Sequence, residues 1–207
     1  MHHRFVSIEG IEGAGKTTAM RAISDWVSAR GGEVVQTREP GGTALGEELR
    51  SVLLSHRGDG MSALTEVLLM FAARAEHIER VIQPALDAGQ WVISDRFTDA
   101  SIAYQGAGRG LGMARVEALA QWLNARVQPA LTLWLDVPVA TGLARAAGRS
   151  TPDRFEAEQG IFFEAVREGY EWLAERYPQR IVRIDASTEP EQVSAAIEAT
   201  LEAHYGR

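Results

Sequence analysis

The octet Gly10-Ile11-Glu12-Gly13-Ala14-Gly15-Lys16-Thr17 reads G-x-x-x-x-G-K-[ST]. It lies directly after an apolar run and directly before a helical pattern, the setting in which that motif cradles nucleotide phosphates. Glycines let successive backbone N–H groups turn inward with no Cβ in the way, and the start of the following helix adds partial positive charge. Gly10, Gly13, Ala14, Gly15, Lys16, Thr17 and Thr18 are therefore the candidate ATP contacts. Lys16 is expected to reach the β and γ phosphates and Thr17 to ligate magnesium. Lys16 is also the only lysine among 21 Lys+Arg residues. A compact ammonium fits where a planar guanidinium does not, so every other positive contact must come from arginine.

Candidate arginines stand at the ends of β-like runs: Arg38 in Thr37-Arg38-Glu39-Pro40-Gly41-Gly42 and Arg96 in Ser94-Asp95-Arg96. Others lie in Gln105 to Arg109 and Arg145 to Arg154. An acceptor that carries a phosphate needs no general base, because its second pKa of about 6 leaves it largely ionised at pH 7. The barrier then lies in bringing two polyanions together, which calls for magnesium and fixed arginines. Asp95 could hold a magnesium-bound water, orient Arg96, or simply pair with a neighbouring arginine. Glu12 is the odd member of the loop. Either it is a solvated carboxylate, or it accepts a hydrogen bond from a hydroxyl of a second substrate.

The elements that must position these groups alternate in type. Phe5–Ile8, Glu33–Thr37, Trp91–Ser94, Leu131–Asp136 and Ile181–Ile184 read as strands. Amphipathic helical stretches lie at 17–29, 44–54, 62–87, 114–126, 139–147, 157–177 and 190–204. That alternation predicts an α/β fold: a five-stranded parallel sheet with helices on both faces and ligands at the carboxyl ends of its strands. The Gly/Arg-rich patches Gly106–Gly112 and Ala147–Asp153 read as mobile loops. With 207 residues, 45% hydrophobic and 24% charged, one domain spanning 1–207 is expected. A net charge of -7 argues against a nucleic-acid surface, which would need a basic stripe. No cysteines are present, excluding disulfides and thiolate chemistry. No apolar run reaches the roughly 20 residues of a membrane span, so the cytoplasm is the default location.

Taken in order, these segments resemble the bacterial thymidylate kinases over nearly the whole chain. The carriers are Ile8 to Thr18, Thr37 to Thr43, Leu69-Met70-Phe71-Ala72-Ala73-Arg74, Asp95-Arg96-Phe97 with Ala103-Tyr104-Gln105-Gly106, and Asp153-Arg154-Phe155-Glu156. The resemblance implies the P-loop NTPase fold of nucleoside monophosphate kinases, transfer of the γ-phosphate of ATP to dTMP with Mg2+, and a homodimer. It also implies roles. Glu12 would bind the 3′-hydroxyl; Arg38 and Arg96, with Arg50 beside them, would hold the acceptor phosphate. Phe71 would stack on thymine, Arg74 would bond its carbonyl, Ser101 and Gln105 would meet the base edge, and Tyr104 would crowd the 2′ position. A lid at about 145–156 would supply Arg149 or Arg154 as a catalytic arginine beside Lys16, Arg96 and Asp95, with Thr17 and Asp95 at the metal. From spacing alone Phe71 reads as core, since Leu64, Val67, Leu68 and Phe71 form a helical stripe. The rivals are a kinase for another nucleotide or a deoxynucleoside, separated only by these base and sugar contacts, and a GTPase-type switch. Switches of that type resemble one another in an Asn-Lys-x-Asp motif, which a chain with its sole lysine at Lys16 cannot contain.

Overall fold

The strands β1 (His2–Glu9), β2 (Val34–Arg38), β3 (Trp91–Asp95), β4 (Pro129–Asp136) and β5 (Ile181–Asp185) form where β-branched and apolar residues run together. They make one parallel sheet in the order β2-β3-β1-β4-β5. The computed structural model describes residues 2–56, 58, 60–123, 127–147, 153–156, 158 and 160–206. Strand β4 is buried along its entire length, as a central strand covered on both faces must be. β1 lies between β3 and β4, with Ile8 opposite Asp95 on one side and Leu133 on the other. The chain crosses over at β1, so the crevice beyond its carboxyl end is where this architecture receives ligands.

The helices are α1 (Lys16–Ser28), α2 (Ala44–Leu54), α3 (Ala63–His77), α4 (Gln83–Asp87), α5 (Thr98–Ser101), α6 (Met113–Leu123), α7 (Val139–Ala146), α8 (Gly160–Arg176) and α9 (Pro190–Tyr205). Thr43 caps α2 by accepting from the Gly46 N–H, and Ser62 caps α3 by accepting from the Thr65 N–H. The single helix expected over 62–87 is interrupted by a π-helical turn, Ile78–Ile82. Pro84 follows immediately; it has no N–H to give the Arg80 carbonyl, and its ring crowds that carbonyl.

The largest departure from the sequence reading is at 98–108. Gly106–Gly108 is no mobile loop but the end of a π-helical segment, Ile102–Gly108, that continues α5. A Cβ on Gly106 would lie 2.9 Å from the Met113 Cα, and one on Gly108 2.6 Å from the Phe162 ring. These glycines serve close helix packing rather than freedom. Most of the second patch, 148–152, lies outside the described residues. The main core takes in both sheet faces, with residues such as Ile8, Ile23, Leu133 and Ile197, and Trp134 stacked on Tyr170 of α8. Phe5, Ile82, Val92 and Phe97 form a second cluster. Among the described residues no helix is long and apolar enough to cross a membrane.

Candidate functional site

The glycine loop closes the carboxyl end of β1 and delivers the chain into α1. Gly13 has φ 74, and a Cβ there would sit 2.0 Å from the Gly142 carbonyl oxygen, so no other residue fits. Gly15 caps α1 with a left-handed backbone, no side-chain cap and no acidic residue in the first turn. The first N–H groups of the helix thus stay available to an anion. Thr17 and Thr18 stand exposed in that first turn. The Lys16 ammonium folds over the loop, donating to the Ile11 carbonyl at 3.0 Å and the Gly10 carbonyl at 3.4 Å. Burial foremost, with Arg96 behind it, lowers its pKa against the pull of Asp95, Glu12 and Glu9.

Arg96 follows β3 with φ 70, a left-handed conformation unusual for arginine. The turn is held from three sides. The Arg96 N–H donates to the Ile8 carbonyl at 2.9 Å, the Ser94 hydroxyl to the Arg96 carbonyl at 2.7 Å, and the Phe97 N–H to the buried Glu9 carboxyl at 2.8 Å. Strain stored this way is common where a side chain must be aimed. The guanidinium reaches back to the Gly10 carbonyl at 2.5 Å and the Glu12 carboxylate at 2.6 Å, and sits 4.8 Å from the centre of the Tyr104 ring. Tyr104 donates its hydroxyl to the other Glu12 oxygen at 2.8 Å. Burial alone would raise the Glu12 carboxyl; Arg96, Lys16 and the Tyr104 hydroxyl outweigh it and hold it below the usual range. Glu12 is therefore no solvated loop residue.

Arg50 donates to the Pro40 carbonyl at 2.9 Å. Burial first, then the charges of Arg38 and Arg96, lower its pKa. Arg38, Arg50 and Arg96 are thus close enough to repel one another, an arrangement relieved by an anion. Arg38 meanwhile pairs with Glu47 at 2.9 Å on the exposed side. Asp95, at the end of β3, buries its Oδ1 with no hydrogen-bond partner among the described residues. A buried unpaired carboxylate oxygen beside Lys16, together with the Thr17 hydroxyl, suits Mg2+, which takes one or two protein oxygens and completes its shell with water and phosphate.

A cleft runs from Glu12 and Arg96 to a wall made by Arg74, Ser101 and Gln105, with Met70, Tyr104 and Phe155 also lining it. Arg74 is 2% exposed, a burial that a guanidinium tolerates only when paired. Its Nε donates to Glu39 at 2.6 Å, and Nη2 donates to the Phe97 carbonyl at 3.0 Å and the Ser101 hydroxyl at 2.9 Å. Glu39 is in turn held by His77, 2.9 Å away, which meets Thr37 at 2.6 Å. The remaining nitrogen, Nη1, has no partner among the described residues.

The structure brings Glu12, Arg50, Arg74, Arg96, Ser101, Tyr104 and Gln105 to one cleft. Two of the expected residues take other positions among the described residues. The Phe71 ring is 5% exposed in the main core, 4.7 Å beneath the Arg74 guanidinium, and its neighbour on α3, Met70, lines the cleft. Val67, Phe71 and Arg74 follow one helical stripe and Glu66, Met70 and Arg74 the next, so Arg74 stands between core and cleft. Arg154 is not aimed at the glycine loop. Its Nη1 pairs with the fully buried Glu66 at 2.7 Å and its Nε donates to the Leu53 carbonyl at 2.8 Å, because a carboxylate at 0% exposure needs cationic partners. Arg149 lies outside the described residues.

Sequence reasoning gave no role to Glu9, Glu39 or Glu66, which hold the arginines and the Arg96 turn from behind. Glu66 had a visible signal, an acid four residues before Met70 and eight before Arg74 on one helical face.

Residues 8–197 match the family model described as thymidylate kinase. The chain is 57% identical to the thymidylate kinase of Alkalilimnicola ehrlichii, covering 96% of this chain and 92% of that one. It is 51% identical to that of Nitrosomonas europaea, with the same coverage. The crystal structure of thymidylate kinase from Ehrlichia chaffeensis superposes with a TM-score of 0.78 at 32% identity, over 98% of this chain and 99% of that one. With a phosphate loop at one end of its cleft and a buried arginine at the other, this chain belongs to the thymidylate kinase family.

Proposed function

We propose that the chain transfers the γ-phosphate of ATP to dTMP in line, giving dTDP and ADP, by electrostatics and positioning without a general base. The observation that carries this reading is the single cleft with Glu12 and Arg96 at the loop end and Arg74, Ser101 and Gln105 at the other. Its lining suits a nucleotide with the phosphate at Arg50 and Arg96 and the base at Arg74.

In this reading the loop N–H groups and Lys16 hold the ATP phosphates, and Arg38, Arg50 and Arg96 hold the acceptor phosphate, offsetting the repulsion between two polyanions. Thr17 and Asp95 would hold Mg2+, which when bound neutralises charge on the β and γ oxygens. Glu12 already accepts from Tyr104 and Arg96, and its remaining lone pairs would take the 3′-hydroxyl. The Tyr104 ring would close the 2′ side. Phe71, beneath Arg74, would stack on the base, with Met70 beside it in the cleft lining. A cytoplasmic location would suit this reading.

Leu45 and Val52 of α2 and Leu64 and Leu68 of α3 are exposed on helices that pack against each other. Apolar exposure of this kind favours a homodimer through these helices.

A coupled ADP-release assay with ATP and magnesium tests the substrate. We expect turnover with dTMP far above that with dUMP, dCMP, dGMP, UMP or thymidine; a flat or purine-preferring profile defeats the reading.

A further inference from the structure

We infer that Glu66 is a positioning residue that fixes the orientation of the Gln105 amide and so sets the cleft to accept a thymine or uracil edge and refuse a cytosine edge. The inference rests on the base lying against Arg74 and Gln105, as in the function proposed above.

An amide side chain ordinarily can present either its oxygen or its nitrogen to a ligand, since rotation by half a turn exchanges them. Here the choice is removed. Gln105 is 1% exposed, and its Nε2 donates to Glu66 Oε1 at 2.9 Å. Glu66 is 0% exposed and cannot offer a proton in return, because both its oxygens already receive guanidinium N–H groups. Arg109 Nε lies 3.2 Å from Oε1 and 3.1 Å from Oε2, and Arg154 Nη1 lies 2.7 Å from Oε2. Arg109 is itself held by Glu158 at 2.5 Å, and Arg154 by the Leu53 carbonyl at 2.8 Å. A flipped amide would set its oxygen against a carboxylate. With Nε2 committed to Glu66, the atom Gln105 has left for the cleft is its carbonyl oxygen, an acceptor.

The same cleft wall also carries a donor, since Arg74 Nη1 is buried with no partner among the described residues. A donor and an acceptor on one wall match the O4 and N3–H of thymine or uracil. Cytosine presents an amino group and a bare N3, so both contacts would set like against like. A site whose buried polar groups are left unpaired by the wrong ligand discriminates far better than one that relies on shape.

The experiment measures kcat/KM for dTMP and for dCMP in wild type, Glu66→Gln, Gln105→Leu and the double variant, with folding checked by thermal melting. Glu66→Gln can both donate and accept, so it frees the amide. We expect the dTMP-to-dCMP ratio to fall about 10- to 100-fold in each single variant, mainly through KM for dTMP, and the double variant to fall no further than Gln105→Leu. A folded Glu66→Gln that keeps the wild-type ratio overturns the inference, and so do losses that add in the double variant. If Glu66→Gln does not fold, Glu66→Asp takes its place: it keeps the charge for Arg109 and Arg154 but withdraws the carboxylate from the amide by one methylene, and an unchanged dTMP-to-dCMP ratio in that variant overturns the inference. A wild type that fails to use dTMP would instead defeat the functional reading itself.

Discussion

Replacing Glu9 by glutamine should make the protein's stability less sensitive to alkali. Glu9 is fully buried behind the glycine loop, accepting from the Phe97 N–H at 2.8 Å and the Tyr170 hydroxyl at 2.9 Å. Burial foremost, and Asp99 second, push its carboxyl up from 4.5 to about 8, against Arg96 and these two hydrogen bonds. Below pH 4.5 the group is protonated folded or unfolded and contributes nothing. Between 4.5 and about 8 the folded state keeps a proton that the unfolded chain releases, so stability falls as pH rises; above about 8 the full cost is carried. At about 1.4 kcal/mol for each tenfold change in proton affinity, that cost approaches ~5 kcal/mol, most of which develops between pH 5 and 8. Glutamine keeps the acceptor for Phe97 and can donate to the Tyr170 oxygen, so it removes the titration while retaining the contacts. Urea unfolding followed by fluorescence of the five tryptophans, at one protein concentration and several pH values, reads the difference. We expect the stability of Glu9→Gln relative to wild type to rise by a few kcal/mol, on the order of 3, from pH 5 to pH 8. A difference that stays flat across this range would refute the argument.

Lys16→Ala should abolish turnover while leaving the melting temperature within a few degrees of wild type, because its ammonium bonds only two loop carbonyls; wild-type turnover in that variant would end the proposed mechanism. Leu68→Glu, at a side chain 52% exposed, should convert a dimer to a monomer in light scattering without lowering the stability of the fold. A wild type that is already monomeric at micromolar concentration would remove the proposed interface.

The sequence by itself determined the frame and the reagents. The motif from Gly10 to Thr17 and the alternation of short apolar runs with amphipathic stretches place a phosphate cradle and two arginine-bearing strand ends on one edge of a parallel sheet, since period and turn chemistry are local properties. Tertiary structure alone decided what holds those arginines and which faces meet the cleft. Arg74 finds Glu39 across 35 positions, Gln105 finds Glu66 across 39, and the Arg96 turn is pinned by Glu9 across 88. No periodicity reports a pairing over such separations. The segment Gly106–Gly108 looked mobile because glycine permits both a flexible turn and a close packing of helices, and only the neighbours at Met113 and Phe162 select the second. Met70 and Phe71 are adjacent, apolar and on one helix, so composition cannot rank them; only the packing of α3 shows the Phe71 ring beneath Arg74 and Met70 in the cleft lining. The same physics governs the acids. A carboxylate on a buried face is unfavourable in isolation and becomes useful only when folding brings guanidinium and amide groups to it, which is why Glu66 is inconspicuous in the chain and central in the fold.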